Sequence, residues 1–198
     1  MPPAVRIVVA LPAEAKPINQ RFGLIRDNSA EAFPLYRNDR VALVVSGPGA
    51  EQAEQAVRWL AAYLPPDEET LWVNLGIAGH PHRPLGEALL AEAISSERDD
   101  PVMHAVLPRP CPCDSAPLVT LAEPDFDYHR DAMIDMEGFG FYRAAVDFSP
   151  PEKVQCLKII SDNRQQGARN INSKMVRKLI EQHLVLLENL IETMTGPA

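Results

Sequence analysis

Little in this sequence points to a membrane, an oxidising compartment or a polyanionic partner. No apolar run approaches the roughly 18 residues that a bilayer-crossing helix needs. Basic side chains are outnumbered, 19 Lys and Arg against 27 Asp and Glu, for a formal net charge of −8. Nothing in that balance forms the basic stripe that follows a phosphate backbone, so neither nucleic acid nor membrane is expected as a partner. The three cysteines are an odd set that gives no disulfide framework. Cys111-Pro112-Cys113, with His104 upstream and Cys156 downstream, lacks the second pair at the spacing structural zinc uses, and no metal is expected. Ala13-Glu14-Ala15 looks like a signal-peptidase site, but only Ile7 to Leu11 is continuously apolar ahead of it, too short for a secretory leader. The expectation is a reduced, cytoplasmic protein.

What is present describes an ordinary globular chain. Hydrophobic residues make up 46% and charged residues 23% of 198 positions, enough for one sizeable core. No repeat and no second core is visible, so residues 1–198 are expected to form a single domain. Short apolar runs recur at Val5 to Leu11, Val41 to Val45, Leu71 to Leu75 and Val154 to Ile160. Runs of that length, rich in Val, Ile and Leu, suit strands covered on both faces. Between them, Ala50 to Tyr63 puts Ala53, Ala56, Val57, Leu60 and Ala61 on one helical stripe. That stripe serves equally as a buried face or as a contact with a second copy. Near the end, Asn172 or Ser173 can cap one long helix with Val176, Leu179, Ile180, Leu184, Leu187, Leu190 and Ile191 inward. Leu35 to Arg37 and Val41 to Ser46 read as a hairpin across Asn38-Asp39, and Glu87 to Ser95 as an extended strand. Residues 97–116, rich in Pro, Asp and Cys and without a period, read as an irregular surface loop. The alternation implies an α/β fold with a mixed, largely parallel central sheet flanked by helices.

Open α/β sheets gather ligands at the carboxyl ends of their strands, and four segments stand there. They are Ala10 to Glu14, Ser46 to Gly49, Asn74 to Gly79 and Ile160 to Asn163; a fifth is Ile134 to Gly138. Each has a plain alternative. Glu14 can be a carboxylate favoured by a helix N-terminus. Gly47 and Gly49 can make a tight turn, or bring backbone N–H groups close to an anion or sugar. Met136 can be core, and Glu137 or Asp135 can start a helix, though Gly138 and Gly140 are odd in a plain helix and suggest close backbone approach. Asp162 can cap a following helix.

In order and spacing, the five segments resemble the nucleoside phosphorylase superfamily, and most closely its methylthioadenosine/S-adenosylhomocysteine nucleosidase branch. The likeness spans roughly residues 4 to 95 and 117 to 195. It implies an N-ribosyl hydrolase that cleaves a purine nucleoside or 5′-substituted nucleoside without a cofactor. In that reading Glu14 orients the attacking water, and Asp162, as a partly dehydrated carboxylic acid, protonates the purine N7. Met136 lies under the ribose, whose two vicinal hydroxyls Glu137 accepts. Gly47, Gly49, Gly76, Ile77, Ala78 and Gly79 line the pocket, where Ile77 replaces the family's small hydroxyl residue. The segment from Val119 to Glu137 is shorter than the family's base-contacting region; Phe126, Tyr128 and His129 are the candidates there to stack on a base, Phe126 foremost. Two alternatives stay open: a phosphate-dependent phosphorylase, with Arg21 and Arg37 as unplaced phosphate ligands, and an inactive nucleoside-binding relative. Members of this fold often pair, so a homodimer is expected. His80 and His82 read as loop residues, Glu87 as structural, and Lys174, Arg177 and Lys178 as a solvated helix face.

Overall fold

The computed structural model describes residues 4–98 and 100–196. The chain runs β1 (Val5–Val9), α1 (Pro12–Phe22), β2 (Ile25–Arg26), β3 (Leu35–Arg37), β4 (Val41–Val45), α2 (Ala50–Tyr63), β5 (Leu71–Gly79), β6 (Ala88–Ser96) and β7 (Met103–His104). It continues with β8 (Asp114–Thr120), β9 (Met133–Asp135), α3 (Gly138–Ala145), β10 (Val154–Asp162), α4 (Ser173–Gln182) and α5 (Leu184–Thr195). The four apolar runs are the four mutually parallel strands at its centre. β1 lies between β4 and β5, and β10 runs parallel to β5 on the other side. All residues of β1, β4 and β10 are buried, as the uninterrupted apolar pattern requires of strands covered on both faces.

Beyond β5 the sheet curls. β10 also pairs antiparallel with β6, β6 pairs parallel with β8, β8 with β9, and β9 returns to β5 at Gly79 and Ile134. Strands β5, β10, β6, β8 and β9 therefore close a barrel-like ring, while β1, β4, β3 and β2 extend from it as an open sheet. One apolar layer lies under α2 and α3, built from residues such as Val57, Leu60, Trp72 and Phe141. The other lies under α1, α4 and α5, with Ile7, Ile18, Val73, Ile180 and Leu187. The stripe on α2 is thus spent inside the subunit.

Two expectations change. The irregular loop at 97–116 contains β7, and the strand β8 begins at Asp114. Pro117 hid that strand. It falls where Ala91 and Ile94 pair with Ala116 and Leu118, an irregular step in register at which a residue without an N–H is tolerated. The single C-terminal helix is two. Asn172 caps the first through its side chain, which accepts from the amides of Lys174 and Met175. His183 then leaves helical backbone at φ −114° and ψ 12°, and its Nε2 lies 2.7 Å from the Gly86 carbonyl. The hairpin forms as expected, with Asn38 Oδ1 accepting from the amides of Arg40 and Val41.

Candidate active site

A cavity of about 460 Å³ opens at the carboxyl ends of β1, β5 and β10 and beside the end of β9. Glu14, Ile77, Ala78, Gly79, Phe126, Met136, Glu137 and Asp162 all line it. Three carboxylates distant in sequence, Glu14, Glu137 and Asp162, thus share one hollow. Gly47, Gly49 and Gly76 are not among its lining residues; between the first two, Pro48 is.

Glu14 sits in the first turn of α1, and Pro12 opens that helix where its missing N–H costs nothing. Its Oε2 accepts from the amides of Ala10 and Leu11 at 3.0 and 2.8 Å, and its Oε1 from the amide of Ile77 at 3.2 Å. The helix-start alternative is therefore literally true, and it also fixes the carboxylate in the cavity wall. Burial raises its pKa against the pull of these amides and of Lys158. Gly76 explains itself here. A β-carbon on it would stand 3.1 Å from Glu14 Oε1 and 3.6 Å from Lys158 Nζ, so the glycine keeps open the space on which these two groups converge.

Lys158 is the residue that sequence reasoning missed. It is 1% exposed within the apolar run of β10, and its Nζ lies 2.7 Å from Asp135 Oδ2. Asp135 also accepts from the Thr120 hydroxyl at 2.7 Å and the Gly138 amide at 2.7 Å. Burial works to lower the Lys158 pKa, but Asp135 and Glu137 outweigh it and hold the ammonium charged. A buried charge requires such a partner, yet a lone Lys in a strand run gives no signal of which acid it will meet.

Glu137 stands at the start of α3, where its Oε1 accepts from the Gly49 amide at 2.8 Å. The glycine turn after β4 does bring an N–H to an anion, and the anion is the protein's own carboxylate. Gly49 has φ 111°, open to glycine at little cost. Burial, then the charge of Asp135, raise the Glu137 pKa to about 7, while Lys158 and the Gly49 amide restrain it. The close approach expected at Gly140 is real: a β-carbon there would overlap the carbonyl oxygen of Ala50 on α2.

Asp162 ends β10. Its Oδ1 accepts from the Ser161 hydroxyl at 2.5 Å and its Oδ2 from the Tyr128 hydroxyl at 2.6 Å. Of the three stacking candidates only Phe126 faces the cavity, half-exposed, with the Arg169 guanidinium 5.8 Å from its ring centre. Tyr128 is buried against Asp162, and His129 is exposed. His80 folds back on its own turn, its Nδ1 accepting from the amides of His82 and Arg83. Arg21 pairs with Glu188, and Arg37 with Asp27, both at 2.7 Å and away from the cavity. No group of three or more candidate metal ligands occurs among the described residues, and no described helix is long and apolar enough to cross a membrane.

No family sequence model and no curated protein matches the chain. Solved structures do. The 5′-methylthioadenosine nucleosidase of Arabidopsis thaliana in apo form superposes with a TM-score of 0.80 at 17% identity, over 100% of this chain and 98% of that one. The chain has the nucleoside phosphorylase fold. A 5′-methylthioadenosine/S-adenosyl homocysteine nucleosidase of Campylobacter jejuni shares this fold with a TM-score of 0.74 at 14% identity, over 95% and 98% of the two chains. A mutant futalosine hydrolase of Helicobacter pylori shares it with a TM-score of 0.73 at 11% identity, over 95% and 98%. At such identities the nucleoside phosphorylase fold persists through its layout of strands and core, while most individual side chains differ.

Proposed function

We propose that this protein is an N-ribosyl hydrolase that cleaves the glycosidic bond of a purine nucleoside or 5′-substituted nucleoside. The observation that carries the reading is the convergence of Glu14, Glu137 and Asp162 on one cavity of about 460 Å³, within the range for small-molecule sites. The nucleosidases that share its fold are named for this chemistry. Glu14, a carboxylate whose affinity for protons burial has raised, takes the role of base toward water. Glu137 accepts the ribose hydroxyls, and its charge favours the cationic character that builds at the sugar. Met136 and Ile77 supply apolar walls, Phe126 a face for the base, and Asp162 the proton for the leaving purine. Gly49 and Gly76 act behind the cavity, the first by holding Glu137 and the second by leaving room beside Glu14.

Water is preferred to phosphate because the cavity is acidic. Among the described residues Glu14, Glu123, Asp125, Asp135, Glu137 and Asp162 line it, with Arg169 as the one lining base. The test is base release from a panel of purine and 5′-substituted nucleosides by purified protein, with and without phosphate. Free base and free ribose, or the correspondingly 5′-substituted ribose, are expected without phosphate. Glu14→Gln and Asp162→Asn should each slow release by about 100-fold or more. A strict need for phosphate, with a sugar 1-phosphate product, would make it a phosphorylase. Tight binding without release, unchanged in Asp162→Asn, would make it a binding relative. A cytoplasmic homodimer belongs to the same reading, and light scattering that gave the mass of one chain would remove the dimer.

A further inference from the structure

Tyr128 is a buried residue that the proposed mechanism leaves without a task, although its placement strains the backbone. Its φ of 51° puts a bulky residue in the left-handed region. Neighbours hold it there. Arg164 donates to its carbonyl at 2.7 Å, and its phenol oxygen accepts from the Ala168 amide at 3.2 Å. With that oxygen's lone pair engaged, the one hydroxyl hydrogen is directed to Asp162 Oδ2 at 2.6 Å. Gly79 makes the arrangement possible: a β-carbon there would stand 2.6 Å from Asp162 Oδ2 and 3.2 Å from Tyr128 Cε1. Asp162 and Ser161 line the cavity, and Tyr128 stands behind them.

We propose that Tyr128 is a positioning residue for Asp162, fixing its carboxyl toward the leaving base and stabilising it as it gives up its proton. The inference rests on the nucleosidase reading. In that step the C1′–N9 bond breaks and its electron pair passes into the purine ring. The carboxyl proton of Asp162 moves to N7, the oxygen of water bonds to C1′, and the proton it sheds goes to Glu14. Solvent then carries a proton from Glu14 back to Asp162. Tyr128 keeps its own proton throughout; burial first, and then the bond to Asp162, push its phenol pKa up. A hydroxyl donates more strongly to a carboxylate than to a neutral carboxyl. Its bond therefore tightens as charge develops, and an interaction that strengthens toward the transition state raises kcat rather than binding.

The test compares Tyr128→Phe with Tyr128→Asn, the latter suited to left-handed backbone but too short to reach Asp162. Both are measured on a purine nucleoside the wild-type protein cleaves. Each should lower kcat about 10-fold or more while changing KM less than about threefold. In an Asp162→Asn background the same changes should alter kcat less than about twofold, because the residue acts through that carboxyl. Equal losses in both backgrounds, a loss in KM alone, an unchanged kcat, or loss of fold in both variants would each overturn the proposal. Absence of base release by the wild-type protein would instead remove the nucleosidase reading, and this inference with it.

Discussion

In the proposed reading Glu137 holds the sugar as its carboxylate, and its surroundings set the pH at which that form is present. Burial and the neighbouring Asp135 raise its pKa from 4.5 to about 7. Between those two values the folded protein holds a proton that the unfolded chain has released. Stability from this group is therefore greatest at low pH and falls as pH rises from about 4.5 to about 7. Ligand binding runs the other way, since the ionised carboxylate is the form that accepts two hydroxyls. The dissociation constant of a non-hydrolysable purine nucleoside should fall about tenfold for each pH unit gained below about 7, then level off. Calorimetry across that range checks it, and Glu137→Gln should flatten the curve; a flat wild-type curve would separate Glu137 from the diol. Lys158 belongs to the same balance. Replacing it by Met leaves Asp135 buried with the Thr120 and Gly138 donors but without its counter-charge. Loss of one partner of a buried pair costs about 3–5 kcal/mol, to be read from urea unfolding. The three carboxylates stood out through the resemblance of five short segments taken together; apolar runs end shortly before Glu14 and Asp162, but alone they left a helix start or cap equally open. Lys158 did not stand out, and Tyr128 was read only as a base-stacking candidate, since each is defined by a partner that only the folded chain brings near: Asp135, 23 positions away in sequence order, and Asp162, 34 positions away.

At the scale of elements, the site depends on how closely α3 lies against α2. Glu137 starts α3 and Gly49 precedes α2, so the hydrogen bond between them ties the two helix starts together. Gly140 sets their separation, because a side chain there meets the Ala50 carbonyl. Gly140→Ala should destabilise the fold by about 1–3 kcal/mol, the range for forced overpacking, seen as a lower urea midpoint. Since the strain falls on the Glu137–Gly49 contact, nucleoside affinity should drop more than in a control of similar instability distant from the cavity, such as Leu187→Val on α5. Equal affinities in the two variants would show that the helix spacing does not govern the site. The two glycines around α3's first turn were readable as close approach, while the identity of the approaching helix was not. The same limit applied elsewhere. Central strands and α2 showed in local periodicity. The ring closure through β10 did not, because it joins strands 60 or more positions apart. Neither did the break at His183, where a carbonyl from the turn before β6 supplies the competing contact.

For the molecule as a whole, the cavity's charge decides which solute stabilises it. Among the described residues, six acids line the cavity against one arginine, held over the Phe126 ring, and the chain carries a net charge of −8. Phosphate entering such a hollow finds the backbone amides already committed to Glu14 and Glu137 and the Lys158 ammonium already paired with Asp135. In the proposed reading a neutral nucleoside instead offers hydroxyl donors to those acids and an apolar base to Phe126 and Ile77. A ligand at about 100 times its dissociation constant adds about 2.7 kcal/mol to stability. For a chain of this size that corresponds to a rise in Tm of about 5–11 °C. Thermal melts with a purine nucleoside analogue should show this rise, and melts with millimolar phosphate alone should not. A rise with phosphate that persists in Glu14→Gln would mean that an anion site exists despite the acidic wall. Water would then lose its claim as the nucleophile, while the nucleoside reading of the cavity would stand.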